Sequence, residues 1–594
     1  MLGSLLWALV AFLLRVTPLY DPDCFWHLHT GRVIAETGRI PWHDVFSHTA
    51  RGRPWLFIDV LADLGLYGLW RLGGTPAVVV GTALIGALTV GLCLETLRRV
   101  LGATGRSGWA HAALGPLLTA AVVFRVTPRP QTLTLLCFSV GLWGIAKARA
   151  DASKGWRLSA LTAAWQSLHP SGLVALAMTL SAALGSLFDS PTTRRASLLR
   201  WAPWVALSAL GLGVSLRPID RLRAGFGHVT DPAMAALITE WVPLYRQRAW
   251  SPALIALAAL ELLAFVGLGR LRRRELPAGW WIVWVFSAAM GLSAVRFLSF
   301  AAMGALGPAA LGLRSLEARV THRFARAFGG LAAAVLGLPL LWQSQHGWGV
   351  GVRSDLFPVG AARYLERARP RGHLLNELES GGYLLWALEG RVPVFFDGRS
   401  WALYPAEFAR RAVDLRAERL GALIEGYNLD IAVLRTDQRV KYFQDNPGWR
   451  LVYLDDQSFV AVRGAENEAL ARRDGLVALR LGDWRHDIAR YRSDPTLGAQ
   501  ALGESERLVA QSPQSSYAWV LRYAALAGAQ RHDEAALAAA RAVTLGPTLQ
   551  SAHRALWMSC EAQGQHPCRC REARWLVARS PGLAAREGLL VGCP

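Results

Sequence analysis

The chain has 594 residues, 53% of them hydrophobic and 18% charged, which excludes a single ordinary domain and lies well beyond a soluble globular average. Its net charge of +21 would suit nucleic acid only if the basic residues formed one patch. They fall instead in short loops between apolar segments, the pattern of topology signals and lipid-phosphate contacts, so nucleic acid is excluded as a partner and membrane lipids are expected.

The first segment, 2–19, is apolar and lacks the basic start and small-residue cleavage site of a signal peptide, which predicts a spanning helix. Further spanning helices are predicted at 76–97, 109–124, 131–147, 157–169, 171–188, 201–216, 251–270, 279–294, 297–313 and 325–342. That makes about eleven, at the roughly 17 to 25 residues a crossing requires. The segment 157–169 is short, and 157–188 reads as a tight hairpin broken near His169-Pro170. Basic clusters lie between the segments: Arg98, Arg99 and Arg106; Lys147, Arg149, Lys154 and Arg157; Arg194, Arg195 and Arg200; Arg270, Arg272, Arg273 and Arg274; Arg314, Arg319, Arg323 and Arg326. With the N-terminus inside, all of them are cytoplasmic. The loop 20–75, the loop 217–250 and everything after about residue 343 are then exported, and chemistry is expected there. Arg15, Arg32, Arg51, Arg125, Arg129 and Arg296 fall in or beside the outer loops, against the charge rule. Within the first loop, 55–71 is expected to lie along the interface as an amphipathic helix.

After residue 343 short apolar runs alternate with helical patterns, which predicts a small periplasmic α/β domain over 343–465. A linker is expected at 466–496. From 497 to 594 the chain is alanine-rich, and Pro513, Pro547 and Pro581 recur every 34 residues. That is the tetratricopeptide period, with Trp519, Ala535, Ala539 and Ala542 at its packing positions. Stacked helix pairs of this kind present a concave surface to a protein partner; a helical cap without ligand is the alternative. Cys24, Cys93 and Cys137 are expected to be inert. Cys560, Cys568, Cys570 and Cys593 are expected to form one or two disulfides, pairing open.

The densest polar constellation is Asp21-Pro22-Asp23-Cys24-Phe25-Trp26-His27-Leu28-His29, directly after the first spanning segment. Two carboxylates followed by histidines can act as a general base or hold a divalent cation. They can also cap the following helix. Charged residues at membrane depth usually mark a polar cavity or a headgroup contact. Arg125, Arg129 and Arg296 are therefore candidates for binding phosphate through their forked donors. His27 and His169 are candidates for substrate contact, and Glu240 for a second base or ligand. Asp397 and Arg399 read as a turn held by a local ion pair.

The first loop continues with Thr37-Gly38-Arg39-Ile40-Pro41, Asp44 and Gly52-Arg53-Pro54-Trp55. In this order it resembles the first exported loop of bacterial membrane proteins of the GT-C glycosyltransferase architecture. Arg129-Pro130-Gln131, Trp165 with His169, Glu240-Trp241 and Arg296 extend the resemblance over 1–342, and Gly381-Gly382-Tyr383 with Phe396-Asp397-Gly398-Arg399 extend it into the soluble part. The resemblance implies a multi-pass α-helical protein of the bacterial inner membrane that moves a sugar from a polyprenyl-phosphate carrier to an extracytoplasmic acceptor. It also implies that an acidic residue of the first loop, Asp23 first and Asp21 second, deprotonates the acceptor or holds a cation such as Mg or Mn. The chain departs from the pattern at Asp59, where a glutamate is expected. A non-catalytic scaffold for envelope or polysaccharide assembly, acting through the repeat region, is the main rival, and a transporter of lipid-linked substrate is a third reading.

Overall fold

The computed structural model describes residues 2–55, 59–102, 107–189, 194–220, 223, 238–248, 251–269, 275–317, 347–399, 403–482, 484–580 and 589–593. The chain divides into two compact units: 1–44 with 52–353 and 401–406, and 45–51 with 354–400 and 407–594.

The first unit is helical. Its helices are α1 (Leu2–Arg15), α2 (Asp23–Thr37), α3 (Val60–Leu101), α4 (Ser107–Val123), α5 (Pro130–Ala150), α6 (Trp156–Leu168), α7 (Leu173–Asp189), α8 (Arg194–Gly211), α9 (Pro252–Gly267), α10 (Ala278–Ser293) and α11 (Leu298–Glu317). Each predicted spanning segment from 2–19 to 297–313 coincides with one of them. The segment at 325–342 lies outside the described residues, as do Arg106, Arg270, Arg272 to Arg274, Arg319, Arg323 and Arg326. Among the described helices three are long and apolar enough to cross a membrane, within 60–101, 194–214 and 295–316, and five further apolar helices are shorter.

Helix α3 consists of two helical segments joined at a kink. Residues 60–72 form one helical segment and the chain from about Pro76 to Leu101 forms the next, with a kink between them where Gly73 and Gly74 leave helical geometry. The bend follows from residue type, because Gly74 sits at φ 63°, a conformation that costs glycine little. The hairpin between α6 and α7 is as expected: His169, ahead of Pro170, is extended and ends α6, as a residue preceding proline tends to be.

Several threonine hydroxyls inside the bundle are satisfied locally. Thr82, Thr162 and Thr179 return their hydroxyls to the carbonyls of Val78, Leu158 and Ala175 at 2.8, 2.9 and 3.0 Å, as a helix in apolar surroundings requires. Helices α9 and α11 meet through small residues: a Cβ at Gly312 would lie 1.8 Å from the Leu263 carbonyl oxygen, the close backbone approach that substitutes for hydrophobic drive within lipid. Leu2, Leu5, Leu6, Leu262, Phe265 and Val285 are exposed on the outer faces, an apolar surface suited to acyl chains.

The second unit contains a four-stranded sheet in the order β1 (His373–Asn376), β2 (Leu429–Arg435), β4 (Ser458–Arg463), β3 (Trp449–Leu454). The first pair is parallel and the other two antiparallel. A piece of the first loop belongs to this unit: Ser47 bridges Val394, His48 reaches the Leu374 carbonyl at 2.9 Å through Nε2, and Thr49 donates to the Phe395 carbonyl at 2.6 Å. Asp397 and Arg399 form the expected local pair at 2.7 Å, fully buried.

The expected linker at 466–496 is not one. It holds helices Glu468–Asp474 and Trp484–Ser493, and Tyr491 donates to the Ala478 carbonyl at 2.9 Å. Thereafter helices Ser516–Gly528 and His532–Leu545 are followed 34 residues on by Gln550–Ala562 and His566–Arg579, while Pro581 lies outside the described residues. Cys560 pairs with Cys568 and Cys570 with Cys593; Cys24, Cys93 and Cys137 are free and buried.

Candidate active site

The site is assembled at one end of the first unit from three stretches of chain and the α10–α11 connection. The first is the turn from α1 into α2. Pro22 precedes Asp23 at the helix start, where a carboxylate is favoured by the helix dipole. Asp21 accepts a hydrogen bond from the Asp23 amide at 3.0 Å, so it does cap the helix, with its other oxygen turned elsewhere.

The second stretch is Arg125-Val126-Thr127-Pro128-Arg129-Pro130. Thr132 ties it down by accepting from the Thr127 amide at 3.0 Å and donating to the Thr127 carbonyl. Arg129, between two prolines, is extended at φ −132°, ψ 157°. That is the geometry proline imposes on its predecessor, so the backbone carrying this guanidinium is stiff. The third stretch is the short turn Thr239–Trp241, tied to the α10–α11 connection by a hydrogen bond from the Val295 amide to the Val242 carbonyl at 3.2 Å.

Arg129 is the hub. It lies 2.5 Å from Asp21, 3.1 Å from Asp23 and 3.9 Å from Glu240. Arg125 pairs with Glu240 at 2.8 Å. Arg296 joins from the α10–α11 connection, its guanidinium 4.2 Å from the ring centroid of Trp241, an aromatic contact. Three carboxylates thus face three guanidinium groups.

Burial pushes the Asp23 carboxyl above its ordinary range, with Asp21 adding to the rise, while Arg129 and His27 oppose it. Burial also works against charge on Glu240, but Arg125 and Arg129 outweigh it and hold that carboxyl far below the usual range. The two acids therefore differ: Glu240 is a fixed anion, and Asp23 is able to take up a proton.

His27 lies one helical turn beyond Asp23. Its Nδ1 is 2.6 Å from Asp63 on α3, both side chains being buried. Burial draws its pKa down to about 4, so the ring is neutral near pH 7. Asp63 escaped the sequence reading; a lone carboxylate in the otherwise apolar run 60–70 was the available signal. A close helix contact makes the pair possible, since a Cβ on Gly31 would lie 2.1 Å from the Asp63 carbonyl oxygen.

Two expectations do not fit this arrangement. His169 was a candidate for substrate contact, but its ring is engaged in the α6–α7 turn, with Nδ1 2.7 Å from the Ser171 hydroxyl; a histidine beside a proline break serves there to tie the freed backbone. A Mg or Mn ion at Asp21 and Asp23 requires several converging donors. Among the described residues no group of three His, Cys, Asp or Glu side chains could hold one, and the Arg129 guanidinium already spans the two carboxylates.

No protein-family model matches the chain, and no curated protein matches it. The solved structures similar to it include those of ArnT from Cupriavidus metallidurans bound to undecaprenyl phosphate and in the apo state. These two share 15% identity with this chain and cover 77% and 78% of it and 97% of their own chains, with TM-scores of 0.41 and 0.45.

Proposed function

We propose that this chain is an integral membrane glycosyltransferase that moves a sugar from a polyprenyl-phosphate carrier to an acceptor on the extracytoplasmic side. The observation that carries the reading is the balanced cluster of Asp21, Asp23 and Glu240 with Arg125, Arg129 and Arg296 at one end of an apolar helical unit.

In such a transfer the acceptor oxygen attacks the anomeric carbon, and the bond from that carbon to the phosphate oxygen breaks. The electron pair leaves with the phosphate, and the acceptor proton must go to a base. Asp23 suits the base role because burial favours its protonated form. Its protonation has a second consequence. Arg129 loses one of its counter-charges at the moment the departing phosphate gains negative charge, so the guanidinium becomes available to that phosphate. Arg296, held by an aromatic face, is a second cation for it. Asp21 stays on the helix amide and on Arg129, and Glu240 anchors Arg125; both position cations. His27, fixed by Asp63, supports the face of α2 that carries Asp23. No step passes through a metal. The 34-residue helical repeat is proposed as tetratricopeptide-like, a surface for a protein partner.

The test is transfer by the purified full-length chain from polyprenyl-phosphate sugars to extracted envelope acceptors. Asp23→Asn should reduce the rate by at least about a hundredfold, within the range ascribed to a general base, at unchanged abundance in membranes. Transfer at the original rate in that variant removes Asp23 from the base role. A variant lacking residues 497–594 that loses function, while Asp23→Asn keeps it, favours the scaffold reading.

A further inference from the structure

Arg15 ends α1 and takes no part in the cluster around Arg129. It is 3% exposed, and its Nε and Nη1 are buried without a hydrogen-bond partner. Its only described companion is an aromatic ring, that of Tyr20, with 5.4 Å from the guanidinium carbon to the centroid. Burying a guanidinium without a counter-charge costs several kcal/mol, so a fold that keeps one there is arranged to receive an anion.

A cleft adjoins it, lined by Arg15, Thr17, Tyr20, Thr82 and Pro128 and about 10 Å³ in volume. That is the room of one water-sized atom, and hence of a single anionic oxygen with its parent group held in the mouth. Thr82 has already committed its hydroxyl proton to the Val78 carbonyl. Among the described residues, Arg15 is the one cationic side chain in the cleft lining for an entering anionic oxygen.

We infer that Arg15 is an anion site for the phosphate group of a membrane lipid, with one phosphate oxygen in the cleft beside the guanidinium. Phosphate is the anion found where an apolar helix reaches its polar end, and the forked donors of arginine match it. The inference rests on the helical unit lying in a membrane and not on sugar transfer.

The experiment uses the full-length protein in detergent, with unfolding temperature and bound lipids counted by native mass spectrometry. Wild type, Arg15→Met and Arg15→Lys are each titrated with phosphatidylglycerol in mixed micelles, with polyprenyl phosphate and with inorganic phosphate. Wild type should bind at least one of these probes tenfold more tightly than Arg15→Met, with Arg15→Lys between them, and the probe that shows the difference names the source. Without any probe, Arg15→Met should be at least as stable as wild type, because an unmatched buried charge has gone. Equal affinity of wild type and Arg15→Met for all three probes overturns the site, and so does a probe-free Arg15→Met that is less stable, since that marks a packing role. If Arg15→Met cannot be purified, the affinity of Arg15→Lys decides alone, equality with wild type counting against the site.

Discussion

Replacing Arg129 by methionine removes the group on which Asp21, Asp23 and Glu240 converge at 2.5, 3.1 and 3.9 Å. The three losses are unequal. Glu240 keeps Arg125 at 2.8 Å, and Asp21 keeps the Asp23 amide at 3.0 Å. Two carboxylates two residues apart, 4% and 22% exposed, are then left repelling each other. Breaking a buried ion pair by removing one partner costs about 3 to 5 kcal/mol. Arg129 is itself 16% exposed, so water offsets part of the loss and the expected destabilisation of Arg129→Met is about 3 kcal/mol, at the lower end of that range. Lysine restores a charge but cannot bridge both carboxylates, so Arg129→Lys should lose about half as much. The assay is equilibrium unfolding of the full chain in detergent. A second measurement isolates the cause: adding Asp21→Asn and Asp23→Asn to Arg129→Met removes the stranded charges and should recover at least half of the loss, the coupling expected of residues in one network. A loss for Arg129→Met below about 1 kcal/mol, the value of an exposed pair, would refute the hub.

Gly31→Ala tests the contact that brings His27 to Asp63. The new methyl would lie 2.1 Å from the Asp63 carbonyl oxygen and 2.9 Å from the Tyr67 Cβ, which should force α2 from α3 and cost about 1 to 3 kcal/mol; unfolding at the wild-type midpoint contradicts it. His48 tests the second unit. Burial lowers its pKa to about 4 from an ordinary 6.5, and the neighbouring His373 adds to the fall while the Leu374 carbonyl opposes it. The unfolded chain then binds a proton that the folded chain refuses, so this part of the stability is present above pH 6.5 and is lost as the pH falls towards 4. Its slope approaches about 1.4 kcal/mol per pH unit at most. His48→Gln should flatten the pH dependence of unfolding over that interval, and an unchanged slope denies the buried neutral ring.

The helices of the first unit were readable because long apolar runs leave the backbone no other way to satisfy its hydrogen bonds in lipid. The kink in α3 falls between the expected segments 55–71 and 76–97, at Gly-Gly before proline, a break signal in sequence. Arg125, Arg129, Asp21, Asp23, Glu240 and Arg296 each stood out singly, as charges beside apolar segments. Their pairing did not, because which arginine meets which acid depends on three turns separated by about a hundred residues of chain, and no local pattern encodes it. Asp63 was passed over for the same reason: its meaning comes from His27 on another helix. The strand order of the sheet was hidden as well, since β4 inserts between β2 and β3 through pairings that periodicity does not specify.

Two bonded contacts bear on topology where charge counting is weakest. Inside the first unit, Leu19 bridges Val352, with its amide donating to the Gly351 carbonyl at 2.8 Å and its carbonyl accepting from Arg353 at 3.0 Å. Inside the second, Val394 donates to the Phe46 carbonyl and accepts from His48 at 3.0 and 3.1 Å. Backbone groups that pair directly cannot lie on opposite faces of a bilayer. The chain between residues 19 and 351, and again between 48 and 394, must therefore cross an even number of times, whichever face is cytoplasmic. Among the described residues nine α-helices, α3 to α11, follow the short α2 and lie between residues 48 and 351. If all nine span, the total is odd, and parity demands one more crossing; the apolar stretch 325–342 has the composition to supply it. Reporters inserted after Gly52 and after Arg353 should label from the same side in intact cells. Labelling from opposite sides would break both pairings at once, and with them the placement of Asp23 and the residues after 353 on a common face.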